Sequence, residues 1–263
     1  MRSELGAMKI AELVSSPEWS GPPKDLVLSE DEVHVWRASL EIKPADVQSF
    51  RKLLSADEIS KAERFHFEED RKHFIAARGI LRTILGRYLR TFPAYLRFCY
   101  KLYGKPALVG ESGGKIFSFN LSHSRELLLL AITRGREVGI DVECIQKGLG
   151  GQGQEIAERF FSPNEVAKLC SLPTEQKAEA FFKCWTRKEA YVKAKGGGLT
   201  VPLDQFEVSF SPGEPAALLH AAFPREISDW SMEELHPGPG YVGALVVQGR
   251  AVQLKYWQWL GEY

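Results

Sequence analysis

An α+β fold built from two similar lobes is what this sequence predicts, and three observations carry the prediction. Residues 55–61 (SADEISK) and 162–168 (SPNEVAK) repeat one pattern 107 positions apart. A strand-like run precedes each copy, Val33–Leu40 and Val138–Ile145, at a spacing of 105. A long helix candidate follows each copy and short strands come after it, so strands and helices are grouped rather than alternating one for one. The lobes are expected to be related by an internal pseudo-twofold. Residues 1–31 read as a surface-wrapping leader, 32–135 as the first lobe and 136–263 as the second.

Each element has its own signal. Ser55 and Ser162 can cap helices, and Glu58 and Glu165 stand three residues later, the capping-box spacing. Leu54 with Ile59, and Phe161 with Val166, fit the accompanying hydrophobic staple; Pro163 suits a first helical turn. The long helices are predicted from about Glu68 to Arg90 and from Thr174 to Lys195, with Phe74 and Phe182 at matching places. Strands are expected at Leu96–Tyr100 and Leu127–Thr133, then at Phe206–Phe210 and Tyr241–Val247. The glycine-rich stretch 148–153 reads as a mobile loop, and the PGEP and PGPG runs as turns.

Composition narrows the function. Among 263 residues, 34 Lys+Arg balance 34 Asp+Glu, which argues against a nucleic-acid coat or a polybasic membrane binder. The longest aliphatic run, Leu127–Ile132, is far short of the roughly 20 residues of a membrane helix. The first 30 residues contain no apolar core of signal-peptide length. Cys99, Cys144, Cys170 and Cys184 form no CxxC pair and no zinc spacing, and read as reduced thiols of a cytoplasmic protein.

Three stretches can carry chemistry. In Gly139-Ile-Asp-Val-Glu143, strand alternation puts Asp141 and Glu143 on one face. Two carboxylates facing the same way repel unless a cation or donors sit between them; hard oxygen ligands suit magnesium rather than zinc. A solvated strand face is the plain alternative. Trp185, Glu189 and Lys193 share a helix face at four-residue spacing. That face is either an exposed Glu–Lys pair under a packed tryptophan or an inward-facing carboxylate and amine in need of partners. Tyr103-Gly-Lys-Pro106 and Phe119-Asn-Leu-Ser-His-Ser124 place small polar residues before an apolar strand, where they can offer donors to a phosphate; a satisfied turn histidine is the plain reading of His123. Arg71, Arg78 and Arg82 form one stripe on the first long helix, either a solvated flank or an anion-facing one. No P-loop, Rossmann fingerprint, zinc-protease motif or serine nucleophile elbow is present.

The stretches YGKP, FNLSHS, GIDVE, RFFSPNE and FKCWTRKEAYVKAKGGGL, in this order over residues 103–199, resemble the 4′-phosphopantetheinyl transferases of the monomeric, two-lobed surfactin-synthetase-activating type. The RFHFEEDRKHFIAAR run of the first half fits the cyanobacterial branch. The resemblance implies transfer of the 4′-phosphopantetheine arm of coenzyme A to a serine hydroxyl of an acyl or peptidyl carrier protein, releasing adenosine 3′,5′-bisphosphate. It implies Mg²⁺ held by Asp141, Glu143 and Glu189, with Glu189 also the base. Lys193 would stand beside the pyrophosphate, and Glu165 matches a second suggested base, although its capping-box position explains it equally well. Lys61, Lys105, Ser122 and His123 match coenzyme A contacts, to which electrostatics adds Arg64 and Arg71. Glu58 and Phe74 depart from the pattern of some relatives. A carrier is expected to dock on the second lobe near residues 146–155 and the helix from Ser162, favoured by Lys147 and Lys168. The competing classes are another Mg²⁺-dependent phosphoryl transferase or phosphodiesterase, and a non-catalytic coenzyme A-binding module.

Overall fold

The computed structural model describes residues 18–100, 102–109, 117–146, 150–250 and 252–261. The first half runs β1 (Glu32–Ser39), α1 (Pro44–Arg51), α2 (Ala56–Glu63), α3 (Glu68–Leu89), β2 (Phe98–Tyr100), β3 (Pro106–Leu108), β4 (Phe117–Ser124) and β5 (Leu127–Arg134). The second runs β6 (Val138–Cys144), α4 (Gly150–Phe160), α5 (Pro163–Ser171), α6 (Thr174–Lys195), β7 (Glu207–Val208), β8 (Leu218–His220), α7 (Glu226–Asp229), β9 (Trp230–Leu235), β10 (Tyr241–Gln248) and β11 (Gln253–Gln258). Apart from the short α7 and the final strand, the order of elements repeats.

Sheet topology repeats as well. The first sheet is ordered β11-β1-β5-β4 and the second β6-β10-β9. In each half the leading strand pairs antiparallel with the last, which pairs antiparallel with the one before it. The exception is β11. It follows the second sheet in sequence but pairs in parallel with β1, Val33 opposite Leu254. Trp259 just beyond it is buried in the first core with Trp36, Phe50, Ile80 and Leu130. Residues 253–259 therefore pack with the first lobe although they lie within the 136–263 segment. The described part of the leader packs there too: Leu26 and Leu28 are buried in the same core, and Ser20 bridges to Trp257.

Both capping boxes form, Ser55 with Glu58 and Ser162 with Glu165. Both glutamates then continue inward as buried ion pairs. Glu58 receives Arg78 Nε and Arg82 Nε, each at 2.7 Å. The expected arginine stripe thus fails at two of its three members, because a carboxylate from α2 neutralises them inside the lobe. The long helices align end to end: Glu68 and Thr174, like the left-handed caps Arg90 and Gly196, are 106 positions apart. This register sets Phe74 opposite Ala180 rather than Phe182.

Two other expectations change. The second part of the glycine-rich stretch is not loop but the start of α4, from Gly150; Lys147, Gly148 and Leu149 lie outside the described residues. The strand expected over Phe206–Phe210 shortens to Glu207–Val208, with Phe206 and Phe210 buried beside it.

The two sheets meet where β4 runs alongside β6. Side chains, not a backbone ladder, join them there. Asn120 Oδ1 accepts Ile140 N–H at 2.8 Å, Ser122 Oγ donates to Asp141 Oδ1 at 2.8 Å, and Ser124 Oγ donates to Glu143 Oε2 at 2.8 Å while accepting Cys144 N–H at 3.1 Å. Alternate residues of β4 share one face, so a single strand supplies all three ties. On its other side β6 carries α6 very close. A Cβ at Gly139 would lie 2.1 Å from Ala190 O and 2.4 Å from Ala194 N, so only glycine permits this approach.

Candidate active site

The close approach of α6 to β6 brings two sequence motifs into one place. Lys193 donates to Asp141 Oδ1 at 2.6 Å and lies 3.1 Å from Ser122 Oγ. Asp141 is 3% exposed, and its Oδ2 is buried with no hydrogen-bond partner among the described residues. Glu143 takes Ser124 as its donor. Burial, with the Asp141 charge adding to it, pushes the Glu143 carboxyl above its ordinary value. Burial raises Glu189 too, again reinforced by Asp141 and Glu143 and opposed by Lys193. Three acids therefore feel one another, with Lys193 as their nearest cation.

Among the described residues no group of three His, Cys, Asp or Glu is gathered closely enough to hold a metal ion as it stands. The donor set nevertheless fits Mg²⁺. All three groups are hard carboxylate oxygens, Asp141 Oδ2 is an uncommitted buried acceptor, and burial with neighbouring negative charge raises the pKa of two of the acids, which a cation would relieve.

Glu189 and Lys193 line a cavity of ≈ 670 Å³ whose other wall comes from the first half, through Tyr103, Lys105 and Asn120. Lys105 donates to Glu137 Oε2 at 3.0 Å and to Val138 O at 2.9 Å, which fixes the β3 entrance against the base of β6. His123 stands exposed on β4. Desolvation by nearby protein lowers its pKa, and the charges of His73 and Lys193 act in the same direction. A second cavity, ≈ 530 Å³, shares Gly104 with the first and is lined by Lys61, Arg64, Phe65 and Tyr100. Lys61 also sits over the Phe74 ring, 5.6 Å from its centroid. Arg71, at the start of α3, lines neither cavity.

Glu165 does not join the group. It is 3% exposed. One oxygen accepts Val208 N–H at 2.9 Å; the other takes Ser162 N–H at 2.9 Å and the buried Lys188 Nζ at 2.7 Å. With donors on both oxygens inside a core, Glu165 has the surroundings of a structural carboxylate and lies apart from Asp141, Glu143 and Glu189. Lys168 is likewise engaged, with Glu214 at 2.9 Å.

Three cavity or seam residues were not singled out from the sequence. Asn120 and Ser124 belong to the polar FNLSHS stretch without an individual role assigned above, and their period-two spacing with Ser122 is the signal of a shared strand face. Arg159, the first residue of the RFFSPNE stretch, also lines the larger cavity.

Comparison with known proteins identifies the family. Residues 137–246 match the 4′-phosphopantetheinyl transferase superfamily, and residues 36–134 match the 4′-phosphopantetheinyl transferase N-terminal family. The 4′-phosphopantetheinyl transferase HetI of Nostoc sp. is 42% identical over 241 residues, covering 92% of this chain and 98% of that relative. Sfp of Bacillus subtilis is 29% identical over 161 residues, 61% of this chain and 68% of its own. A solved holo-[acyl-carrier-protein] synthase of Helicobacter pylori, in complex with coenzyme A, covers 41% of this chain and 96% of its own at 23% identity and a TM-score of 0.32, too low to add to the sequence match. The chain belongs to the 4′-phosphopantetheinyl transferase superfamily. It is an enzyme of that class, moving the phosphopantetheine arm of coenzyme A onto carrier proteins, and the Nostoc relative fits the cyanobacterial branch. No helix among the described residues is long and apolar enough to cross a membrane.

Proposed function

We propose that Asp141, Glu143 and Glu189 hold Mg²⁺ and that the serine of an acyl or peptidyl carrier protein enters the ≈ 670 Å³ cavity between the two halves. Bound there, the ion would neutralise phosphate charge and help to place it. The observation that carries this reading is that Glu189 and Lys193 line that cavity while Lys193 also holds Asp141, whose other oxygen has no partner among the described residues. Glu189 takes the serine proton; burial beside Asp141 and Glu143 makes it more basic than an ordinary carboxylate. The serine oxygen bonds to the phosphorus that carries pantetheine, and the bond to the bridging pyrophosphate oxygen breaks. Lys193 stabilises the charge on the departing adenosine 3′,5′-bisphosphate. Lys105, Ser122 and His123 orient the coenzyme phosphates.

Lys61 and Arg64 form a basic wall of the second cavity, which suits the anionic nucleotide end. Arg71 acts at longer range, through its charge. The lobes supply opposite walls of one cleft, which supports a single asymmetric site per chain and a monomer. The four free cysteines support a cytoplasmic setting. The carrier approaches the second lobe beside α4 and the start of α5.

Incubating the chain with coenzyme A, Mg²⁺ and an apo carrier protein, then weighing the carrier, tests the whole reading. A gain of one phosphopantetheine with release of adenosine 3′,5′-bisphosphate is expected from the wild type. Loss of that gain in Glu189→Ala is expected as well. An unmodified carrier alongside bound coenzyme A would point to a binding module instead.

A further inference from the structure

Asn120 is 7% exposed and lines the larger cavity. Its orientation is determined by chemistry. Ile140 N–H can only donate, so the edge of the Asn120 amide that meets it at 2.8 Å is the oxygen. The Nδ2 amino group therefore occupies the opposite edge. It donates to nothing among the described residues, and unlike Asp141 Oδ2 it is not sealed from solvent. A buried amide with one edge spent and the other open to a cavity is a preoriented donor.

Its neighbour is Lys193. The Lys193 ammonium lies 3.4 Å from Ile140 O, and Asn120 bonds to Ile140 N–H. In an extended strand the N–H and C=O of one residue point to the same side, so both side chains reach the same edge of β6. Both also line one cavity. Lys193 is already committed to Asp141, whereas the Asn120 amino group has its hydrogens to give. Neutral and cationic donors side by side in a partly desolvated cavity suit a phosphate oxygen better than a carbonyl, because the bond is charge-assisted.

We propose that Asn120 is a further substrate-binding residue, its amino group donating to a non-bridging oxygen of the coenzyme A pyrophosphate beside Lys193. This rests on the phosphopantetheinyl transfer reading above. The contact differs from the seam bond the same side chain makes: the oxygen holds the halves together and the nitrogen grips substrate.

Asn120→Asp separates the two roles. It keeps an acceptor for Ile140 N–H and removes the amino group. Binding of coenzyme A by calorimetry is expected to weaken by at least about 10- to 100-fold; because the new carboxylate also repels phosphate, the wild-type amide titration below is the companion measurement. 3′-Dephospho-coenzyme A, which lacks the 3′-phosphate but keeps the pyrophosphate, should show the same factor. Should the variant fold poorly, the wild type provides its own test. Asn120 and Asn164 are the only asparagines in the chain, so ¹⁵N-asparagine labelling yields two side-chain amide signals. Only the Asn120 pair should shift on titration with coenzyme A; Asn164 is tied to Glu207 by its amino group. Wild-type affinity in Asn120→Asp, a loss confined to coenzyme A and absent with the dephospho form, or an unmoved Asn120 signal would each overturn the inference while leaving the functional reading in place. A wild type that fails to bind coenzyme A would overturn both.

Discussion

The two long helices are equal in length and end in the same left-handed cap, yet they do different work. In α3, Arg82 is sealed against Glu58. The matching residue of α6, Lys188, is sealed against Glu165 in the same way. One position further the halves diverge. The α3 residue is Thr83, whose hydroxyl bonds back to Gly79 O, and the α6 residue is Glu189, which faces the cavity. The leading strands diverge likewise: Trp36 and Ala38 are fully buried in the first core, where β6 has Asp141 and Glu143. A buried charge with all its partners is costly to break, whereas one left partly unsatisfied is available for chemistry. The duplicated scaffold keeps the first arrangement in both halves and the second in one.

The largest effect expected from breaking this contrast is on turnover. Glu189→Ala should lower carrier modification by about 10²- to 10⁴-fold, the range of a lost general base, and Asp141→Ala should be at least as damaging because it also frees Lys193. Mass spectrometry of the carrier across a Mg²⁺ titration measures both. Near-wild-type activity of Asp141→Ala at low Mg²⁺ would remove the metal assignment.

The structural carboxylates should respond in the opposite sense. Glu165→Gln strands Lys188 and Glu58→Gln strands two arginines, each at a cost of about 3–5 kcal/mol in stability. Urea unfolding reads the loss, and the protein that remains folded should retain its turnover. A Glu165→Gln enzyme that is stable but inactive would make Glu165 the base and dissolve the distinction between the two glutamates.

Smaller effects belong to the coenzyme grip. Lys105→Ala and His123→Ala should each weaken coenzyme A binding by about 10-fold or more, as expected for charge-assisted bonds to phosphate. Unchanged calorimetric affinity in both would take them out of the site.

The smallest effect is on stability against pH. Glu143 and Glu189 have folded pKa values raised above the ordinary 4.5. The native state therefore binds more protons than the unfolded chain between the two values, and metal-free stability falls as pH rises from about 4.5 through the folded pKa. Glu189→Gln removes its share, so its metal-free Tm at pH 7 should exceed that of the wild type. Scanning calorimetry between pH 5 and 8 tests the sign; a lower Tm throughout would show that the Glu189 charge supports the fold.

What can be read from the chain alone is whatever a few neighbouring residues decide. The capping boxes at Ser55 and Ser162, the start of α3 and both ends of α6, and the strands β5 and β10 all follow from capping chemistry and hydrophobic period. So does the shared face of Asp141 and Glu143, and that of Glu189 and Lys193, because periodicity specifies which way a side chain points. It does not specify what the side chain meets. The sequence leaves Glu165 open as either a capping residue or a second base, and only packing gives it Lys188 and the Val208 N–H while leaving Glu189 facing the cavity. Asn120 and Ser124 become the seam only because β6 lies beside β4. Arg78 and Arg82 become interior only because α2 lays Glu58 across α3, and β11 returns to β1 across the whole chain. Each of these depends on two segments far apart in sequence coming together, and the free energy of that meeting is recorded in neither segment by itself.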